Sequence, residues 1–190
     1  KTGMLYSAEI VQRVAKRLRE RNLPHLVVDP VMVSTSGATL LQDSAIEGLT
    51  RELFPLAQVV TPNVPEAERL TGMTIRTLDD AKAAAAAVFT FGPRAVLLKG
   101  GHLSGAPATD VLYDGVSWTL FAGERIETRG VHGTGCTYSA AIAAHLARGE
   151  SLDAAVRRSK AYVTEAIRHG LAIGRGTGPT HHFFNLRGDV

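Results

Sequence analysis

The stretch that most limits what this chain can become is Gly130-Val131-His132-Gly133-Thr134-Gly135-Cys136, followed without a break by Thr137-Tyr138-Ser139-Ala140-Ala141-Ile142-Ala143-Ala144-His145-Leu146. Glycines at 130, 133 and 135 permit positive φ and close backbone approach. The alanine-rich run behind them reads as a tightly packed helix. A glycine turn opening a helix presents N–H groups without intrahelical acceptors at the positive end of the macrodipole, which makes it an anion site. The only cysteine, Cys136, falls in that first turn. The expectation is that the turn holds a phosphate in transfer while Cys136 faces its acceptor. No Gly-Lys-Ser/Thr follows, so this is not a P-loop, and its late position does not suit a dinucleotide fingerprint.

Composition narrows the setting. The 190 residues, 45% hydrophobic and 21% charged, suffice for one globular domain with a sizeable core. No apolar run reaches membrane-span length, and Lys1-Thr2-Gly3-Met4-Leu5 is no signal-peptide pattern. A single cysteine excludes an internal disulfide framework and fits a reducing cytoplasm. The net charge of +3 is mild, and much of the basic excess lies at Arg13, Lys16, Arg17, Arg19 and Arg21. That reads as a solvated helix face; nucleic-acid binding would need a reader motif, and none is present.

Along the chain, Lys1 to Leu5 reads as the end of a strand. A helix begins at Ser7 or Ala8, places Ile10, Val11, Val14 and Leu18 at helical spacing, and ends near Asn22-Leu23-Pro24. His25 to Asp29 reads as a buried parallel strand. Asp43 is placed as cap of a helix over 44–54 that Pro55 stops. Strands follow at 58–61 and 94–99, with a short helix ending at Gly72 and a longer one over 78–91 between them. A hairpin over 109–113 and 116–121 turns at Asp114-Gly115. Helices over 135–148 and 152–169 close the chain, the second capped by Ser151. Alternating strands and helices argue an α/β fold with a mostly parallel sheet, whose ligands sit beyond the carboxyl ends of the strands. Asp29, Asn63 to Glu66 and Lys99-Gly100-Gly101 each follow a strand and, with the Gly133 turn, are expected on one rim.

Each candidate has a plainer rival. Asn63 with Glu66 three residues on, and Pro65 between, matches a capping box as well as a carboxylate orienting hydrated Mg²⁺; both readings stand. Asp29 either holds Mg²⁺ through water or forms a turn. Lys99 either bridges nucleotide phosphates or snorkels from an edge. Cys136 is either a general base or a buried thiol. His132 reads as structural, and His181-His182 with Phe183-Phe184 as an aromatic packing segment.

Asp29-Pro30-Val31-Met32, Thr61-Pro62-Asn63-Val64-Pro65-Glu66-Ala67, Leu98-Lys99-Gly100-Gly101-His102 and His132-Gly133-Thr134-Gly135-Cys136, in that order, resemble the hydroxymethylpyrimidine/phosphomethylpyrimidine kinases of thiamine biosynthesis, in the ribokinase-like superfamily. The likeness runs on to Gly178-Pro179-Thr180-His181. It implies a three-layer α/β/α kinase that uses ATP and Mg²⁺ to phosphorylate 4-amino-5-hydroxymethyl-2-methylpyrimidine and then its monophosphate. It also implies a role for each motif residue. Cys136 stands where most of the superfamily carries a catalytic Asp, and the amides of Gly133, Thr134, Gly135 and Cys136 form an anion hole. Asn63 and Glu66 match an Asn-x-x-Glu magnesium motif, and Asp29 a nearby metal-site carboxylate. Lys99 matches a phosphate-contacting lysine, while Met4 and Val31 lie near the pyrimidine. Val131 departs from the usual Thr. The family's N-terminal glycine-rich segment does not occur in this sequence, so residues 1–190 are expected to form a single kinase domain lacking its N-terminal portion. A homodimer is the expected assembly. Pyridoxal kinase, hydroxyethylthiazole kinase (with a similar Gly-Thr-Gly-Cys turn) and a non-catalytic pyrimidine-binding regulatory remnant are the competing readings.

Overall fold

The computed structural model of the chain describes residues 1–21, 23–32, 40–102, 107–126, 128, 132–171, 173 and 175–186. They fall into two compact units, Lys1–Ala122 and Gly123–Val190. Gly130 and Val131 lie outside the described residues.

The first unit is built on a five-stranded sheet of order β1-β2-β3-β4-β5. β1 (Val27–Val28), β2 (Val59–Val60) and β3 (Val96–Leu98) run parallel, while β4 (Asp110–Tyr113) and β5 (Trp118–Phe121) add the expected antiparallel hairpin. Thr2 extends the parallel side, donating to the Val27 carbonyl at 2.9 Å and accepting from the Asp29 amide at 3.1 Å. The parallel strands are shorter than the stretches 25–29, 58–61 and 94–99 expected for them: the β1–β2 ladder holds two residue pairs and the β2–β3 ladder one. Val28, Val60, Val96 and Leu98 face a core shared with the helices, and Val27, Val59 and Leu97, pointing the other way, are equally buried. Burial on both faces is what parallel strands and a three-layer α/β/α arrangement require.

Helix α1 (Ala8–Arg21) buries Val11 and Ala15 and pairs Arg13 with Glu9, Arg17 with Glu20 and Arg19 with Glu52, so its basic residues form the solvated face expected. Two helix boundaries differ from the sequence reading. Asp43 is the first residue of α2 (Asp43–Gly48) and not its cap; Gln42 precedes it without a side-chain capping bond. Pro55 does not stop the winding, which loosens to a π turn over Leu49–Leu53 and tightens to a 3-10 turn over Phe54–Leu56. Proline lacks an N–H and crowds the carbonyl four residues back, and this change of pitch accommodates both. α4 (Leu78–Phe89) ends two residues early, in a turn that reaches Gly92 at φ 93°. It packs on β3 and β4.

In the second unit α5 (Thr134–Ala147) and α6 (Leu152–Arg168) pack together across a turn at Gly149, with Ser151 accepting the Ala154 N–H at 3.3 Å. Phe184 lies against the rings of Tyr162 and His169, and the Tyr162 hydroxyl donates to the His182 carbonyl at 2.8 Å. Of the segment expected to pack, Phe184 does so, whereas Phe183 is 66% exposed.

Candidate active site

Three charged side chains meet where the parallel strands of the first unit end. Asp29 follows β1 at once and is only 2% exposed. Its Oδ1 accepts from Lys99 Nζ at 2.9 Å and from the Thr61 hydroxyl at 3.2 Å, and Lys1 Nζ stands 3.8 Å from Oδ2. Lys99 follows β3 and is drawn toward β2, its N–H donating to the Pro62 carbonyl at 2.8 Å. It is thus neither an edge lysine nor exposed; its charge is largely buried and paired with Asp29.

Glu66 arrives through α3 (Val64–Thr71), whose N-cap is Asn63. Asn63 Oδ1 accepts the Glu66 N–H at 2.9 Å, and Glu66 Oε2 accepts the Asn63 N–H at 2.8 Å. The capping box therefore forms, and it fixes the carboxylate 4% exposed at the strand ends. Burial pushes the Glu66 carboxyl above its ordinary 4.5. Lys99 and the amides of Asn63 and Met32 oppose that rise, and the neighbouring Asp29 carboxylate adds to it. The Met32 contact ties α3 to the turn after β1, in which the Val31 N–H donates to the Asp29 carbonyl at 2.9 Å.

Among the described residues no three His, Cys, Asp or Glu side chains gather as a ready-made metal cluster. Mg²⁺ takes one or two carboxylates and keeps several waters, so Asp29 and Glu66 fit its needs. A divalent cation would also relieve the repulsion between them. Met4, 55% exposed, and half-buried Val31 leave the same end of neighbouring extended segments, two residues beyond Thr2 and Asp29.

Gly133 opens α5 in the second unit at φ 84°, with open space where a Cβ would stand. Its carbonyl accepts the N–H and the hydroxyl of Thr137 at 2.8 and 2.9 Å. The first turn thus carries Thr134, Gly135 and Cys136 with amides aligned along the helix, and the thiol is exposed, not buried. His132 pairs in parallel with Pro179, accepting the Thr180 N–H at 3.4 Å and donating to the Gly178 carbonyl at 3.1 Å. These bonds are made by the backbone, and the residue is exposed.

Sequence reasoning missed Thr61 and Asp110. Thr61 is the polar residue closing a β-branched run, and Asp110 is the lone acid heading an apolar strand, buried to 4% exposure. Both were visible as polar interruptions of apolar segments.

Comparison with known proteins joins fold to sequence. The chain superposes on the pyridoxal kinase from Staphylococcus aureus in complex with AMP-PCP with a TM-score of 0.90 and 36% identity, covering 98% of this chain and 68% of that one. The architecture is therefore that of the ribokinase-like α/β kinases. The phosphomethylpyrimidine kinase family profile matches residues 1–181, and the chain belongs to that family. It is 44% identical to the hydroxymethylpyrimidine/phosphomethylpyrimidine kinase of Bacillus subtilis over 184 residues, which cover 96% of this chain and 68% of the relative. It is 48% identical to the thiamine biosynthesis bifunctional protein ThiED of Geobacter sulfurreducens, with 96% of this chain but only 37% of that protein covered. The chain thus spans about two thirds of the first relative and little more than a third of the second. No helix among the described residues is long and apolar enough to cross a membrane.

Proposed function

We propose that this chain catalyses ATP-dependent phosphorylation of 4-amino-5-hydroxymethyl-2-methylpyrimidine and then of its monophosphate to the diphosphate. The observation that supports it most is the buried Asp29–Lys99 pair beside Glu66 at the ends of parallel strands, in a chain of this family. A lysine held there is a point charge for nucleotide phosphates, and two carboxylates can orient hydrated Mg²⁺. The metal, when bound, neutralises charge on the transferring group. The amides of Gly133, Thr134, Gly135 and Cys136 are assigned to the developing anion. Cys136 takes the proton from the attacking oxygen. Since phosphoryl transfer depends chiefly on positioning and charge, losing the thiol slows the reaction without abolishing it. Met4 and Val31 border the pyrimidine. The working assembly in this reading is a homodimer.

Pyridoxal phosphorylation is the second reading, favoured by the superposition on the Staphylococcus aureus pyridoxal kinase. Product analysis of the purified protein with ATP, Mg²⁺ and each alcohol separates them. The expected products are the pyrimidine monophosphate and diphosphate, in yields that fall in Cys136→Ala. Phosphorylation of pyridoxal alone would favour the second reading, and turnover unchanged in Cys136→Ala would remove the role given to the thiol.

A further inference from the structure

The antiparallel ladder between β3 and β4 pairs Leu98 with Val111, so its next rung would set Lys99 opposite Asp110. The ladder ends before that rung. Lys99 bridges to Asn63 on its other side, while the next amide, that of Gly100, donates to Asp110 Oδ1 at 3.0 Å. A buried carboxylate thus takes the Gly100 N–H just past the last regular rung of the ladder. Gly100 also lies so close to Thr109 that a Cβ would stand 1.8 Å from its carbonyl oxygen. The peptide groups on either side of the Lys99 Cα are therefore both tethered, one to Pro62 and one to Asp110. Tethering both fixes the direction in which the side chain leaves toward Asp29.

We propose that Asp110 is a positioning residue for Lys99: its bond to the Gly100 amide aims the lysine and thereby sets affinity for the nucleotide's phosphates. This rests on the reading of Lys99 as the phosphate contact. The test measures binding of AMP-PCP with Mg²⁺, and separately of hydroxymethylpyrimidine, by calorimetry on wild type, Lys99→Ala, Asp110→Ala and Asp110→Asn. Removing the buried acceptor is expected to weaken AMP-PCP binding about tenfold in Asp110→Ala, with pyrimidine affinity changed less than about twofold. Asp110→Asn keeps an acceptor oxygen and is expected to recover most of that loss. If Asp110→Ala does not fold, Asp110→Ser, too short to reach the Gly100 amide, carries the same expectation. Unchanged AMP-PCP affinity in Asp110→Ala or Asp110→Ser, or an equal fall for both ligands, would overturn the proposal while a weakened Lys99→Ala left the phosphate reading standing. Unchanged binding in Lys99→Ala would remove that reading together with the role built on it.

Discussion

Glu66 keeps its carboxyl where burial disfavours charge, so the folded chain holds that proton more tightly than the unfolded chain does. A carboxyl raised in this way contributes stability that is full below its ordinary 4.5 and is lost as pH climbs through the raised value. Glu66→Gln keeps an acceptor for the Asn63 amide but cannot ionise. Denaturant midpoints collected from pH 4 upward are therefore expected to show wild type declining relative to Glu66→Gln across that rise; parallel curves would contradict the account. Gly133 presents a different kind of constraint. No neighbouring atom lies where its Cβ would be, yet its φ of 84° is left-handed. Gly133→Ala should then cost about 1–2 kcal/mol through backbone strain alone, readable as a lower Tm. Gly100 is the contrast, since there the Thr109 carbonyl itself excludes a side chain.

At the scale of elements, capping does two jobs in one place and a single job in another. Asn63 and Thr77 each head a helix with a reciprocal capping box, to Glu66 and Asp80 respectively. Either residue changed to Ala should lower stability by about 1 kcal/mol. Only Asn63→Ala should also raise the KM for ATP with Mg²⁺, because only that box holds a carboxylate of the charged cluster. Equal kinetics in the two variants would separate Glu66 from nucleotide binding. The Asn63-x-x-Glu66 box could be read from spacing, as could the Gly72 stop and the Asp114-Gly115 turn, because each depends on local backbone chemistry. The Thr77-x-x-Asp80 box carries the same local signature. The π and 3-10 turns before Ala57 were not legible, since helix pitch there depends on how Pro55 and the buried Leu49, Leu53 and Phe54 settle against the core. Lys99 shows the same limit: its strand was plain in the apolar run 95–98, but its partner Asp29 lies seventy residues away.

For the molecule as a whole, the topology delivers chemistry by a simple route. Parallel strands β1, β2 and β3 all end on one side, so the residues that follow them, far apart in sequence, gather without any special loop. Rim residues were foreseeable because strand ends can be read from β-branched runs. Thr61 and Asp110 stand out in the sequence as polar interruptions, but their partners, Asp29 and the Gly100 amide, depend on register and could not be read there. The most direct test of the central claim is transfer of label from γ-³²P-ATP to hydroxymethylpyrimidine by wild type and Lys99→Ala, with products resolved chromatographically. The expected result is labelled pyrimidine monophosphate and diphosphate from wild type and a loss of at least about tenfold in Lys99→Ala. No labelled pyrimidine from wild type, or equal labelling by both proteins, would contradict it.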